Sequence, residues 1–206
     1  MDILYQDDRI VVAVKPVGVL STDEPGGMPE LLRAQLHTDC IRTVHRLDAQ
    51  VSGVMVFARS RMAASLLSQQ IRERRFTKEY LAVLCGTPSQ PSGILTDLLA
   101  RDPQRRLTYV ADTPSPNARE ARLSFATVDS SDGMTLVRVR LHTGRTHQIR
   151  VHMAYLGYPL AGDRLYGTSS EQFPHHMLHC DSLEFSDPET GEHRQFSAAC
   201  PWNSCV

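Results

Sequence analysis

No stretch of this chain approaches the roughly 20 consecutive apolar residues of a membrane-crossing helix. Its N-terminus runs from Met1-Asp2 straight into I-L-Y, without the segments of a secretory signal. A cytoplasmic protein without a membrane partner is therefore expected. Cysteine is scarce: Cys40, Cys85, Cys180, Cys200 and Cys205 are odd in number and scattered, with no C-x-x-C pair. This argues against a disulfide framework and a cysteine-built zinc site, and for reduced, mostly buried thiols. Repeats and low-complexity tracts are absent. Nor does either charge dominate, the net value being −1.

What is present suits a globular protein. The 206 residues are 41% hydrophobic and 22% charged, enough to bury a substantial core as a single domain over 1–206. The charges are unevenly spread. Residues 42–80 hold eight basic side chains against three acidic ones, whereas 181–192 hold five acids and no Lys or Arg. Such a basic stretch is either a solvated helix surface or a phosphate-binding face.

Hydrophobic runs and turn signals place the elements. Residues 3–5 and 9–15 read as a hairpin turned at Gln6-Asp7-Asp8, and 23–29, rich in Pro and Gly, as a loop. A short strand spans 53–58. Ser60 then caps a helix with Met62, Leu66, Leu67 and Ile71 on one face. A strand covers 79–85. Residues 87–119 carry five of the twelve prolines and read as irregular connection or a flap. Strands at 121–128 and 134–141 turn at S-S-D-G, and Thr146 is placed to cap a helix over 147–156, stopped by Gly157. Strands at 177–185 and 193–197 close the chain. The fold class expected is α/β of the α+β type, mixed and largely antiparallel.

Three constellations carry chemistry. In an extended segment residues i and i+2 point the same way, so Arg46 and Asp48 face outward together while Leu47 faces the core. That is either a surface ion pair or a carboxylate placed as nucleophile or base. The run from Arg72 to Tyr80 brings basic residues to Phe76 and Tyr80. It is either a phosphate-and-stacking surface or a helix end followed by a strand whose Tyr packs inside. In L-H-T-G-R-T-H-Q-I-R-V-H, Ile149, Met153 and Leu156 share an apolar face with Arg150 beside it. A buried Arg needs a carboxylate, for which Asp48 is a candidate. His142, His147 and His152 stand five residues apart, off any common helical face, and no H-E-x-x-H occurs. No metal is expected, and His147 and His152 are read as hydrogen-bonded or RNA-facing.

The order of these motifs resembles the RluA-type family of pseudouridine synthases. They stand here as K-P-x-G at Lys15, H-R-L-D-x-x-x-S-G at His45, K-x-Y at Lys78, T-G-R-T-H-Q-I-R-V-H at Thr143, G-x-P-x-x-G-D-x-x-Y at Gly157, and Leu178-His179. The resemblance implies that family's catalytic fold, a mixed, mostly antiparallel sheet flanked by helices and crossed by a cleft. It also implies a cofactor-free reaction that converts uridine in structured RNA to pseudouridine. By the same resemblance Asp48 is the catalytic aspartate, Tyr80 the ring-stacking tyrosine and Arg150 the aspartate's arginine. Arg46 fills the space left by a flipped nucleotide, and His45, Lys78, Arg145 and His147 are further RNA contacts. The expected partner is 23S ribosomal RNA, transfer RNA or both, bound by a monomer of the compact kind without an S4-like domain. RNA specificity is expected from 87–119 and 23–29. Val51 departs from the family's usual Thr, and Cys180 from its Ala. Two rival readings are a non-catalytic RNA-binding or chaperone module and a glycosidase, which would need a second carboxylate.

Overall fold

All seven residues of Ser52–Ala58 are buried, an unbroken apolar run of the kind a strand shows when both its faces are covered. Around it the computed structural model describes residues 1–167 and 172–202. In chain order the elements begin with β1 (Asp2–Gln6), β2 (Ile10–Lys15), α1 (Met28–Leu36), β3 (Arg42–Thr43), β4 (Ser52–Ala58), α2 (Arg61–Arg72) and β5 (Thr77–Cys85). They continue with β6 (Ser92–Asp102), β7 (Leu107–Val110), β8 (Arg119–Ser131), β9 (Met134–Leu141), α3 (Gln148–Tyr155), β10 (Leu178–Ser186) and β11 (His193–Ser197). The mixed, mostly antiparallel architecture expected from the sequence is the one observed.

The chain divides into two compact units. The first joins Met1–Lys78 to His179–Cys200. Here β4 pairs antiparallel with β2 and β3 and parallel with β10, whose other neighbour in this unit is β11. Gly53 sits at φ 126, and a Cβ there would run into the Cys180 backbone, so only glycine lets β4 lie against β10 at this point. Ser60 caps α2 as expected, its Oγ accepting from the Ala63 amide at 3.1 Å. The buried face of α2 differs from the expected stripe. It is Ala63, Leu67 and Gln70, at i, i+4 and i+7, while Met62 is 72% exposed. The amide of Gln70 both donates to Ser186 O and accepts from Ser186 N, at 2.8 Å each. A polar residue that satisfies a strand in this way decides which helix face turns inward. Helix α1 has no counterpart among the sequence expectations. The loop over 23–29 stops at Gly27, and Pro29 lies in the helix's first turn, where its missing N–H is harmless.

The second unit is Glu79–Leu178 with the residues from Pro201. Its strands run β5-β9-β8-β6-β7, each antiparallel to the next. The β8–β9 turn falls at Asp132 and Gly133, at φ 49 and 75, the left-handed pair of a tight hairpin. Residues 87–119 are not irregular: they contain the β6–β7 hairpin. Pro88 and Pro91 precede it, Pro103 lies in its turn, and Pro114 and Pro116 follow it. Proline is excluded from a ladder and not from its ends, so its density misread what its positions allow. Helix α3 lacks the expected Thr146 cap. Its N-cap is His147, left-handed at φ 55, and the preceding turn is held by Gln148. The Gln148 Oε1 accepts from Arg145 N at 2.9 Å and Thr143 Oγ1 at 2.8 Å. Among the described residues Cys40 and Cys85 are free thiols and Cys180 is buried; Cys205 lies outside them.

Candidate active site

In the first unit the H-R-L-D segment leaves β3 as an extended loop with the alternation expected of it. His45 and Leu47 are buried, Arg46 is exposed and Asp48 half-buried. Three anchors hold the loop. The Ser21 hydroxyl donates to Leu47 O at 2.7 Å and accepts from Leu47 N at 3.0 Å, doing for this residue what a neighbouring strand would do. Val51 N donates to Asp48 O at 3.0 Å and closes the turn behind the carboxylate. The third is His45, whose Nε2 accepts from Val56 N at 3.1 Å while its ring lies 5.3 Å from that of Phe76. Burial, reinforced by the charge of Lys78, holds the His45 pKa well below its ordinary value, which keeps that nitrogen an acceptor. The side chain of His45, expected to contact RNA, is turned inward and pins the loop to β4.

Beneath the loop lies Lys15, fully buried at the end of β2. Its Nζ donates to Pro16 O at 2.9 Å, Val19 O at 2.6 Å and Ala49 O at 2.9 Å. An ammonium has three N–H donors, and all three are used. Burial lowers its pKa to about 8, and the negative charge of Asp48 works against that fall. The folded state therefore holds this proton less tightly than the unfolded chain. The burial penalty is fully present below pH 8 and is relieved as pH rises toward the unfolded value of about 10.4. Reaction rate should consequently fall with an alkaline midpoint near 8, as one of the three bonds is lost, while global stability does not fall over the same range. Single-turnover rates and urea unfolding followed across pH 6–10 would check this. In Lys15→Met the alkaline limb should vanish.

In the second unit the motif arginine, Arg150, is buried on α3. A carboxylate partner was expected, with Asp48 as candidate; the bidentate partner seen is Asp163, which is 0% exposed. Arg150 Nε donates to Asp163 Oδ2 at 2.7 Å and its NH2 to Oδ1 at 2.8 Å. Oδ1 also accepts from Leu165 N at 3.0 Å and Tyr166 N at 3.2 Å. Burial pushes the Asp163 pKa up, but the hydrogen bonds and charge of Arg150 more than offset it, so the carboxyl lies below its ordinary value. The Arg150 guanidinium stands 5.0 Å from the centre of the Tyr166 ring. The Tyr166 hydroxyl accepts from Thr108 N at 2.9 Å and bonds His147 Nδ1 at 2.9 Å.

The remaining expected residues are placed as follows. Tyr80 is buried on β5, opposite Val139. Lys78, on the same strand, is half-buried, and burial lowers its pKa against the opposing effect of Cys180. Arg145 is exposed, its Nε donating to Glu120 O at 2.9 Å. His147 is half-buried against Tyr166. His152 differs from expectation: it is buried, neither ring nitrogen has a hydrogen-bond partner, and Asp97 Oδ2 lies 3.8 Å from Nε2. Among the described residues no three His, Cys, Asp or Glu side chains are grouped to hold a metal ion.

Lys15, Asp163 and Tyr166 stand inside the sequence motifs without an expected role, and Ser21 stands outside them. A lysine ending an apolar strand before proline, and an acid after a glycine downstream of a buried arginine, were the available signals. Ser21 carries no such signal.

A family described as RNA pseudouridylate synthase matches residues 9–155. The dual-specificity RNA pseudouridine synthase RluA of Escherichia coli is 36% identical, covering 95% of this chain and 91% of its own. The ribosomal large subunit pseudouridine synthase D of Xylella fastidiosa is also 36% identical, over 100% of this chain and 67% of that one. Among solved structures, human RNA pseudouridylate synthase domain containing 4 superposes with a TM-score of 0.80 over 97% of this chain and 88% of its own. At 23% identity that likeness speaks to the fold.

Proposed function

This chain belongs to the RNA pseudouridylate synthase family and is an RNA pseudouridine synthase, an isomerase, and from that premise we propose how its residues carry the reaction. Asp48 is the catalytic carboxylate. The observation that carries this is its mounting: a half-buried carboxylate on a loop whose backbone is fixed by Lys15, Ser21 and His45. Rigid support of this kind is what a group must have to meet one atom of a bound nucleotide.

The chemistry balances without a redox partner or a carrier. The N1–C1′ bond of uridine breaks, the uracil turns, a C5–C1′ bond forms, the C5 proton leaves and N1 regains one. Asp48 either attacks C1′ or removes the 2′ proton. Tyr80 stacks on the detached uracil, and Arg150, held on Asp163, is the third catalytic residue. A base stacked in RNA hides C1′, so the nucleotide is flipped out at roughly a few kcal/mol. Arg46, exposed beside Asp48, offsets part of that by stacking and bonding phosphates.

The RNA is bound by further basic residues, Lys78, Arg145 and His147, and by the β6–β7 hairpin. The tip of that hairpin carries exposed Arg101, Arg105 and Arg106, and Tyr109 stands out from β7. Large-subunit ribosomal RNA, transfer RNA or both are the substrates, in the cytoplasm, with the enzyme a monomer. A glycosidase would need a second carboxylate to activate water. Asp163 is buried and bidentate to Arg150, which disfavours that reading. Mapping pseudouridine in total RNA from cells with and without the gene should show one or a few uridines modified only when it is present. An unchanged map would overturn the reading.

A further inference from the structure

Thr108 lies on β7, the outer strand of its unit's sheet, and its N–H points away from the ladder with β6. An outer strand leaves such donors unpaired, and here the donor is taken by the Tyr166 hydroxyl at 2.9 Å. Having accepted that bond, the phenol can give its own proton to His147 Nδ1, also at 2.9 Å. This joins the hairpin to His147, which begins α3 in a left-handed conformation uncommon outside glycine. The backbone of Tyr166 hangs on Asp163 Oδ1, the oxygen that also takes Arg150, and the Tyr166 ring faces the Arg150 guanidinium. Tyr166 packs against Leu99, Ala121 and Val151, from β6, β8 and α3. One side chain thus touches the hairpin, His147 and Arg150.

We propose that Tyr166 is a positioning residue that couples RNA docking on the β6–β7 hairpin to the setting of Arg150. The proposal rests on the functional reading above, in which the hairpin meets RNA and Arg150 serves the reaction. RNA drawn to Arg105 and Arg106 loads the far end of the hairpin. Strand β7 passes that load through the Thr108 N–H to the phenol, and the phenol to His147 and the turn that carries Asp163. The guanidinium is held by two bonds to a carboxylate in that turn, so it moves when the turn moves. Tyr166→Phe keeps the ring over Arg150 and removes both hydroxyl bonds. Thr108→Pro leaves Tyr166 intact and removes the outward N–H, a change proline tolerates in an outer strand, together with the buried Thr108 hydroxyl.

The test is a coupling cycle between Tyr166→Phe and the tip reversal Arg105→Glu/Arg106→Glu. It is read as RNA affinity and as single-turnover rate at saturating enzyme, on a transcript that the wild type modifies. Tyr166→Phe should lower the rate about tenfold with affinity changed less than about twofold, a split that general destabilisation would not produce. Tip reversal should weaken affinity in both backgrounds, but lower the saturated rate only where the hydroxyl is present. Thr108→Pro should reproduce the Tyr166→Phe rate. If the two changes multiply independently in the rate, or if Tyr166→Phe and Thr108→Pro both keep the wild-type rate, the coupling is wrong. A wild type that modifies no RNA would instead overturn the functional reading itself, which keeps the two failures apart.

Discussion

Asp48→Asn should leave a folded protein that still binds RNA and makes no detectable pseudouridine. The substitution is nearly isosteric, and the loop backbone has anchors of its own. Its anchors are Ser21 on Leu47, Val51 on the Asp48 carbonyl and Lys15 on the Ala49 carbonyl, all backbone contacts. An amide neither attacks C1′ nor takes the 2′ proton, so both routes open to Asp48 close together, and the rate should drop by at least on the order of a thousandfold. Tritium release from C5-labelled uridine RNA, beside filter binding and thermal unfolding, would measure all three. Retained turnover would remove Asp48 from the chemistry; lost RNA binding would make it a docking residue.

Breaking the Arg150–Asp163 pair should have the largest effect on stability. Arg150→Ala removes the two guanidinium donors from a fully buried carboxylate, and Asp163→Ala removes the bidentate acceptor from a buried guanidinium. Either change should cost about 3–5 kcal/mol in urea unfolding at neutral pH. Replacing both, as Arg150→Met with Asp163→Leu, should recover much of that stability while activity stays lost. That outcome would separate the arginine's part in the reaction from its part in the fold. The pH dependence has a definite sign. The folded pKa of Asp163 is lowered, so the pair's stabilisation is present above the unfolded carboxylate value of about 3.9. It disappears as pH falls through the folded value. Wild type should lose this contribution in acid, and the double variant should show a flatter acid limb. Equal acid limbs would mean that the pair is not what titrates.

Much of the fold was legible because hydrophobic period and turn residues act locally. The first hairpin, β4, the Ser60 cap and the β8–β9 turn each follow from a few adjacent residues. The misreadings share a physical origin. In 87–119 the prolines were weighed by number, and their effect depends on position in a ladder that only a partner strand defines. On α2 both Met62 and Gln70 were free to face either way until Ser186 offered two hydrogen bonds to one of them.

The site divides along the same line. By itself the sequence determined the placing of an exposed Arg46 and a half-buried Asp48 around a buried Leu47, since alternation in an extended segment is a property of the backbone. It also determined that Arg150, once buried, had to meet a carboxylate. That Asp163 takes Arg150 in a bidentate pair, and what lies under the Asp48 loop, were decided by tertiary structure alone. Asp163 is thirteen residues from Arg150, and Ala49 thirty-four from Lys15. Polar groups that far apart along the chain are equivalent candidates until folding removes water from some of them. Burial then makes each unmet donor or acceptor expensive, and it was that expense that settled the partners.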